Sequence, residues 1–457
     1  MSFIKSVHVR FGVRLMSVVM LFTTTFAQSD IGENVTATNT AKPLITSVLP
    51  DYYNQTDGIS LENIIRSAFA NNGDLKVAQL EIEKAKARLT QARLRQNPTL
   101  EVEQKSGNFV GSKGDNELSF GVSVPLEIYG QRKRRIDLAN AEITLKEMEV
   151  SARQRELASR IFLDYAEALA SLRELEILEN LLEIDLQTVV FVQIRVNEGE
   201  TAPLELNLLQ TEVERLRSRR ELAIGRLNVA MTKLKFYAGI EPNEPLKLRE
   251  NIVNANLPQL PATLETSISE ALKNRPEIRL SELEESLANA GLRLIRSQSR
   301  PEFSAFSKYS QGKQIIDSPR GAFDQKDKSL TFGISIGLPI FNRNQGAKAE
   351  AEIAIRQAQE RRNFAEKIIQ NEVTIAFQRI DATRKAVLIL QNAVLPRSEQ
   401  NIKTIRQVYE IGEFKITDLL AEQKRLLDAN RDLTDALSEN YRAKAELLIA
   451  LGITLEK

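Results

Sequence analysis

The chain has 457 residues, with 62 Lys and Arg against 61 Asp and Glu, no Cys, no Trp and a single His, His8. Since His8 lies in a leader-like N-terminus, the rest offers neither imidazole nor thiol, which excludes His-based acid–base work, Cys nucleophiles and zinc or copper sites built on those ligands. A net charge of +1 leaves no basic excess of the kind nucleic acid attracts.

Lys5, Arg10 and Arg14 precede an apolar run at 15–22, and Thr25-Phe26-Ala27 places small residues at the first and third positions before a cut. This is the pattern of a secretory signal, 1–27, with cleavage after Ala27; the apolar run is too short to span a bilayer. A chain starting there has no N-terminal Cys to carry a lipid. Residues 28–58 are polar and mixed, with Pro43 and Pro50, and read as an extended arm.

A first repeat is expected over 59–241. Ser60 caps a short helix that ends near Gly73, and a second helix runs to Asn97-Pro98, where the residue before Pro leaves helical geometry. Strands are expected at about 99–106 and 117–127. In the second, Leu118, Phe120, Val122, Val124 and Leu126 alternate with Ser119, Gly121 and Ser123. Residues 131–198 then contain no Gly or Pro, so a helix of about 131–197 follows, roughly 100 Å long at ~1.5 Å per residue. Its seam, Ala168, Leu172, Leu175, Leu178, Leu182, Leu186, Val189 and Val196, has coiled-coil spacing. Gly199-Glu200 breaks it. Pro203 opens a second long helix, about 203–237, whose seam is interrupted by Arg220.

A proline-rich linker, 242–262, separates this from a second repeat at 263–455. Strands are expected at about 302–310 and 329–339, with a loop across 312–328. Long helices follow at about 345–411, kinked by Pro396, and 416–450. Leu118-Ser119-Phe120-Gly121 matches Leu330-Thr331-Phe332-Gly333 at an offset of 212, and Gly199-Glu200 matches Gly412-Glu413 at 213. The chain is an internal duplication. Four strands per chain cannot close a barrel, and an open edge is not tolerated in lipid. Three copies give twelve strands, the smallest closed set here with a hole. Small residues suit its lumen, and Phe120, Val122, Phe332 and Ile334 suit lipid. Tyr129 and Phe341, equivalent at offset 212, are expected in an interfacial aromatic belt. Arg132, Lys133, Arg134 and Arg135 oppose the dipole at the start of the first long helix; lipid phosphates and ion pairs to neighbouring helices are both open partners.

Strand hairpin, very long helix, Gly turn and second helix, done twice over about 59–455, resemble the TolC-like outer-membrane efflux proteins. The stretches Val124-Pro125-Leu126-Glu127-Ile128-Tyr129-Gly130 and Leu338-Pro339-Ile340-Phe341-Asn342-Arg343-Asn344 look most like the heavy-metal (cobalt-zinc-cadmium type) branch. The resemblance implies a mainly α fold with a transmembrane β-barrel and a long-helix tunnel. It implies a homotrimer in the outer membrane, in contact with outer-membrane lipid, that works with a periplasmic adaptor and an inner-membrane pump of the RND class. It implies a passive duct with no catalytic residue, no cofactor, no resident metal and no nucleic acid. The family carries a Tyr before the second tip turn and acidic residues after it; Tyr409 and Asp418 match, while Ala421 departs from a two-acid pattern. Glu205 is the first-repeat counterpart of Asp418, and Asp418, Glu205 and Tyr409 are the candidates for a periplasmic gate, where three copies of Asp418 about a threefold axis would repel each other and attract cations. A solvated helix-start carboxylate is the plainer reading of Asp418. Gly199, Glu200, Gly412 and Glu413 are expected at the turns an adaptor would touch. Cargo is expected to be heavy-metal cations, with drugs or a type I secreted protein as alternatives. A secreted coiled-coil structural or adhesive protein would explain the rods, but not the duplicated hairpins.

Overall fold

The computed structural model describes residues 45–107, 115–255, 257–316, 319, 321 and 323–453. The signal peptide and the start of the arm lie outside them. The chain is mostly helical with four antiparallel strands in one sheet. These are β1 (Thr99–Ser106), β2 (Asn116–Leu126), β3 (Glu302–Ile316) and β4 (Phe323–Gly337), ordered β1-β2-β3-β4. β3 and β4 run well into the region expected to be a loop. Their polar ends, Gly312–Ile316 and Phe323–Lys328, lack apolar alternation but keep pairing through the backbone, down to Ile316 with Phe323.

Pairing between the hairpins decides which residues share a face. Val102 lies opposite Phe120, Phe120 opposite Tyr309, and Tyr309 opposite Leu330; Leu100, Val122, Ser307 and Phe332 form the next row. One face thus carries Leu118, Phe120, Val122, Val124, Leu126, Leu330, Phe332, Ile334 and Ile336, all exposed, with Phe332 at 72%. The opposite face carries Ser119, Gly121, Ser123, Thr331, Gly333 and Ser335, and Ser119 is only 3% exposed. Charged residues on that face pair across strands: Lys308 Nζ with Glu103 at 2.5 Å and Lys105 Nζ with Glu117 at 3.1 Å.

Each strand continues into a helix. α3 (Gly73–Arg93), α4 (Gln131–Asn197), α7 (Pro276–Gln298) and α8 (Gln345–Ile389) pack side by side in that order nearest the sheet. Farther away α5 (Pro203–Ala238) pairs with α4, α10 (Ile416–Ala450) packs on α4 and α8, and α9 (Leu395–Glu410) packs on α10. The expected kink takes the form of a π turn at Leu390–Val394, which joins α8 to α9 just before Pro396. The wide turn accommodates a residue that cannot donate to the helix ladder.

The α5 seam is buried as its spacing requires, whereas the α4 seam is buried from Ala168 to Leu182 and only half-buried at Leu186, Val189 and Val196. Two segments that read as loose are packed. Leu246, Leu248 and Ile252 of the linker are buried with α2 (Leu61–Asn71), α4 and α5. Tyr53 and Ile59 both bridge to Leu248. The arm residues from Ile45 lie on α4 and α5, and form a short helix, α1 (Leu49–Tyr52). Glu179, 3% exposed, anchors them: it accepts from Ser47 Oγ (2.5 Å), Val48 N (3.2 Å) and Arg220 Nη2 (2.8 Å). Arg220, the interruption in the α5 seam, also donates to Thr46 O at 3.2 Å. Prolines and polar residues hid this packing, and partners such as Glu179 for Ser47 and Leu248 for Tyr53 lie more than a hundred residues away.

Removing one partner of a buried pair strands the other. Arg220→Ala should therefore cost about 3 kcal/mol, read as a lower thermal midpoint of the assembled protein. Adding Glu179→Ala to it should recover part of that loss.

Candidate functional site

The two helical hairpins end in matching turns. Gly199 (φ +80°) and Gly412 (φ +83°) take the left-handed conformation. Gly199 N donates to Val196 O and Glu200 N to Arg195 O; Gly412 N donates to Tyr409 O and Glu413 N to Val408 O. Both are Schellman closures, in which Gly tolerates the positive φ at no steric cost. Gly199, Glu200, Gly412 and Glu413 are all exposed. Behind the turns, Val192, Leu206, Leu209, Ile402, Tyr409, Ile416 and Leu419 form one buried cluster that joins the hairpins.

Of the gate candidates only Tyr409 belongs to this cluster, and the three separate into two groups. Tyr409, 2% exposed, donates its hydroxyl to Glu205 Oε2 at 3.2 Å across the hairpins. Burial and the Glu205 carboxylate push the Tyr409 hydroxyl up to about 12, so it stays a donor at neutral pH. Asp418 is exposed and turns back on its own helix, where it accepts from Lys415 N at 3.2 Å. It caps α10, the plainer of its two readings. Glu205, at the matching position of α5, bonds Tyr409 through its side chain instead. Arg195 adds to this contact: it donates to Tyr409 O at 3.5 Å, pairs with Glu200 Oε2 at 3.3 Å and lies 5.7 Å from the Phe191 ring. Nothing in the local pattern singles out Arg195, which resembles any solvated helix cation.

The aromatic candidates do not share an environment. Tyr129 packs against Phe303 (centroids 6.2 Å apart) with the Arg300 guanidinium 6.0 Å from its ring, whereas Phe341 is 90% exposed. The connection from β4 to α8 is longer than that from β2 to α4, so the two residues are matched relative to their strands and not relative to their helices. Arg132 and Arg135, at the start of α4, find partners within the fold. Arg132 Nε donates to Arg93 O at 2.7 Å, and Arg135 donates to Leu94 O at 3.2 Å and pairs with Glu127. They sit on the C-terminal carbonyls of α3, where a helix dipole favours positive charge.

A second polar cluster lies along the wall. Asp185 on α4 is fully buried and accepts from Gln423 Nε2 of α10 at 2.6 Å. Asp185 Oδ2, Gln423 Oε1 and Arg406 Nε have no protein partner among the described residues. Beside them is a groove of about 550 Å³, bordered by Leu208, Glu212, Arg215 and Lys424. Burial raises Asp185 to about 6 against the Gln423 hydrogen bond; Glu212 raises it further and Arg406 lowers it. The only trace in the sequence is one carboxylate set between Leu182 and Leu186.

Because the folded value is raised, this contribution to stability is full below the unfolded value of about 3.9 and is lost as pH rises through about 6. The α4–α10 contact should tighten at pH 5 and loosen at pH 7.5. Asp185→Asn should remove this part of the pH dependence, read as the difference in thermal midpoint between variant and native protein across that range.

With this geometry in hand, comparison with known proteins is direct. The profile of the "Outer membrane efflux protein" family matches residues 64–239 and 267–453, one match per repeat. The chain is 23% identical over 412 residues to the cobalt-zinc-cadmium resistance protein CzcC of Cupriavidus metallidurans, covering 89% of this chain and 93% of that one. It is 26% identical over 406 residues to the cation efflux system protein CusC of Escherichia coli, covering 86% of each. A crystal structure of CusC superposes with a TM-score of 0.70 at 23% identity, covering 90% of this chain and 97% of that one. The chain belongs to the outer membrane efflux protein family.

Proposed function

We propose that this protein is the outer-membrane exit duct of a tripartite efflux system, assembled as a homotrimer whose helices form a tunnel through the periplasm. The observation that carries this reading is the bare apolar face on a four-stranded sheet whose outer strands, β1 and β4, have unpaired edges. Water would penalise that face, and lipid would penalise those edges. Pairing β4 of one copy with β1 of the next resolves both, and twelve strands leave a lumen where eight would be filled by side chains. No described helix is long and apolar enough to cross a membrane, so the sheet is the element offered to it.

The face opposite the apolar band suits cations. It carries Glu101, Glu103, Glu117, Glu302 and Asp327 against Lys105 and Lys308. From Gln28 onward the chain has neither His nor Cys to detain a soft metal ion. The names of CzcC and CusC support heavy-metal cations as cargo. In this reading the Gly199 and Gly412 turns meet a periplasmic adaptor coupled to an inner-membrane RND pump. The Tyr409–Glu205 bond, braced by Arg195, holds the tunnel end closed, and Asp418 places a ring of carboxylates at its mouth. Tyr129 and Phe341 mark the membrane interface nearest the tunnel.

Native mass spectrometry of the detergent-solubilised protein should give a trimer; a water-soluble monomer would end the proposal. In planar bilayers, Tyr409→Phe and Glu205→Gln should each raise conductance several-fold, and unchanged conductance would remove the lock. Asp418→Asn keeps a capping side chain and loses the charge, so weaker block by divalent cations with unchanged thermal stability would mark a gate ring, whereas unchanged block would leave only a cap.

A further inference from the structure

We propose that Lys313, Lys326 and Lys328 form a basic rim that holds the phosphate groups of the outer-leaflet lipid whose acyl chains cover the apolar band. This rests on the membrane reading above and extends it to the headgroup layer. The register places all three on the lipid-side face. Tyr309 opposite Leu330 is the last apolar row of the β3–β4 pair, followed by Gln311 opposite Lys328 and Lys313 opposite Lys326. At ~3.4 Å per residue, Lys328 and Lys326 lie roughly 7 and 14 Å beyond Leu330 along the strand. A headgroup layer extends about 5–8 Å past the hydrocarbon, a depth that tilted strands and flexible lysine side chains cover. Lys326 and Lys328 are exposed and join no ion pair among the described residues. Asp324, on the same face, takes Lys313 Nζ at 2.8 Å.

On the lipid-side positions of β3 and β4 the lysines are confined to this end. Asp327 is on the opposite face, and toward the helices the lipid side of β4 runs through Phe332, Ile334 and Ile336 with no lysine. Lysine serves phosphate as a compact point charge. Lysine on an edge strand also discourages stray pairing, a role without preference among lipids. The experiment below separates the two.

The assembled full-length protein is placed in nanodiscs of phosphatidylcholine alone or with increasing lipid A, and retained lipid A is counted by native mass spectrometry. Native protein should retain lipid A in preference to phosphatidylcholine. Lys313→Gln, Lys326→Gln and Lys328→Gln together should abolish the preference, with roughly a fivefold loss of affinity per lysine. Asp324→Asn should strengthen retention, and Lys308→Gln, on the other face, should leave it unchanged. Inorganic phosphate added to phosphatidylcholine discs should not reproduce the thermal stabilisation that lipid A gives. Native protein that inserts yet shows no preference overturns the rim and leaves the duct standing; protein that enters neither bilayer overturns the membrane reading itself. Equal losses from Lys308→Gln and from the triple variant also overturn the rim. If the triple variant fails to assemble, the native preference and the Asp324→Asn gain decide the matter.

Discussion

A β-strand cannot leave its backbone donors and acceptors unpaired where no water reaches them. This constraint governs the protein, because its single sheet combines a bare apolar face with two unsatisfied edges. A soluble sheet with such a face would bury it under helices. Here the helices continue away from the sheet and leave the face open. The proposed assembly is the arrangement in which apolar face, open edges and long helices each have a partner.

Duplication accounts for much of the architecture, and the places where it fails are informative. The tip turns at Gly199 and Gly412 close with the same hydrogen bonds. Glu205 and Asp418 occupy matching helix starts, yet one carboxylate crosses to Tyr409 and the other caps its own helix. α4 runs unbroken, whereas its counterpart is divided by a π turn ahead of Pro396. The first hairpin is further tied by the arm through Glu179 and Arg220. The second hairpin thus combines a wide turn with its tip bond to Glu205.

Polar contacts between the hairpins lie at several levels, Arg442 with Glu167 and Arg155 with Ile449 O among them. At the tip, Tyr409, Glu205 and Arg195 join them. Farther along the wall, Asp185 meets Gln423 in an apolar setting with unmatched polar atoms beside it. Buried polar contacts of this kind are sensitive to small displacements, since a half-satisfied network costs more than an apolar one. Much of the surrounding surface is laced with intrahelical ion pairs such as Arg215 with Glu212, which add little to stability.

The sequence alone determined the repeat, the long helices, the tip glycines and the existence of two apolar-faced hairpins. Those features follow from periodicity, Pro and Gly placement and turn chemistry, all of which act over a few residues. The family resemblance pointed to Tyr409 and Asp418 and the repeat offset to Glu205, though not to which two of them meet. Tertiary structure alone decided that Tyr409 bonds Glu205, that Asp185 meets Gln423, that Arg132 and Arg135 rest on the end of α3, and that the linker and arm are packed. Each of these depends on partners about forty to more than two hundred residues distant, brought together only when helices and strands choose neighbours. The same holds for the sheet: alternation within β2 shows that it has two faces, but only pairing across β3 and β4 shows that Lys313, Lys326 and Lys328 stand above Phe120 and Phe332.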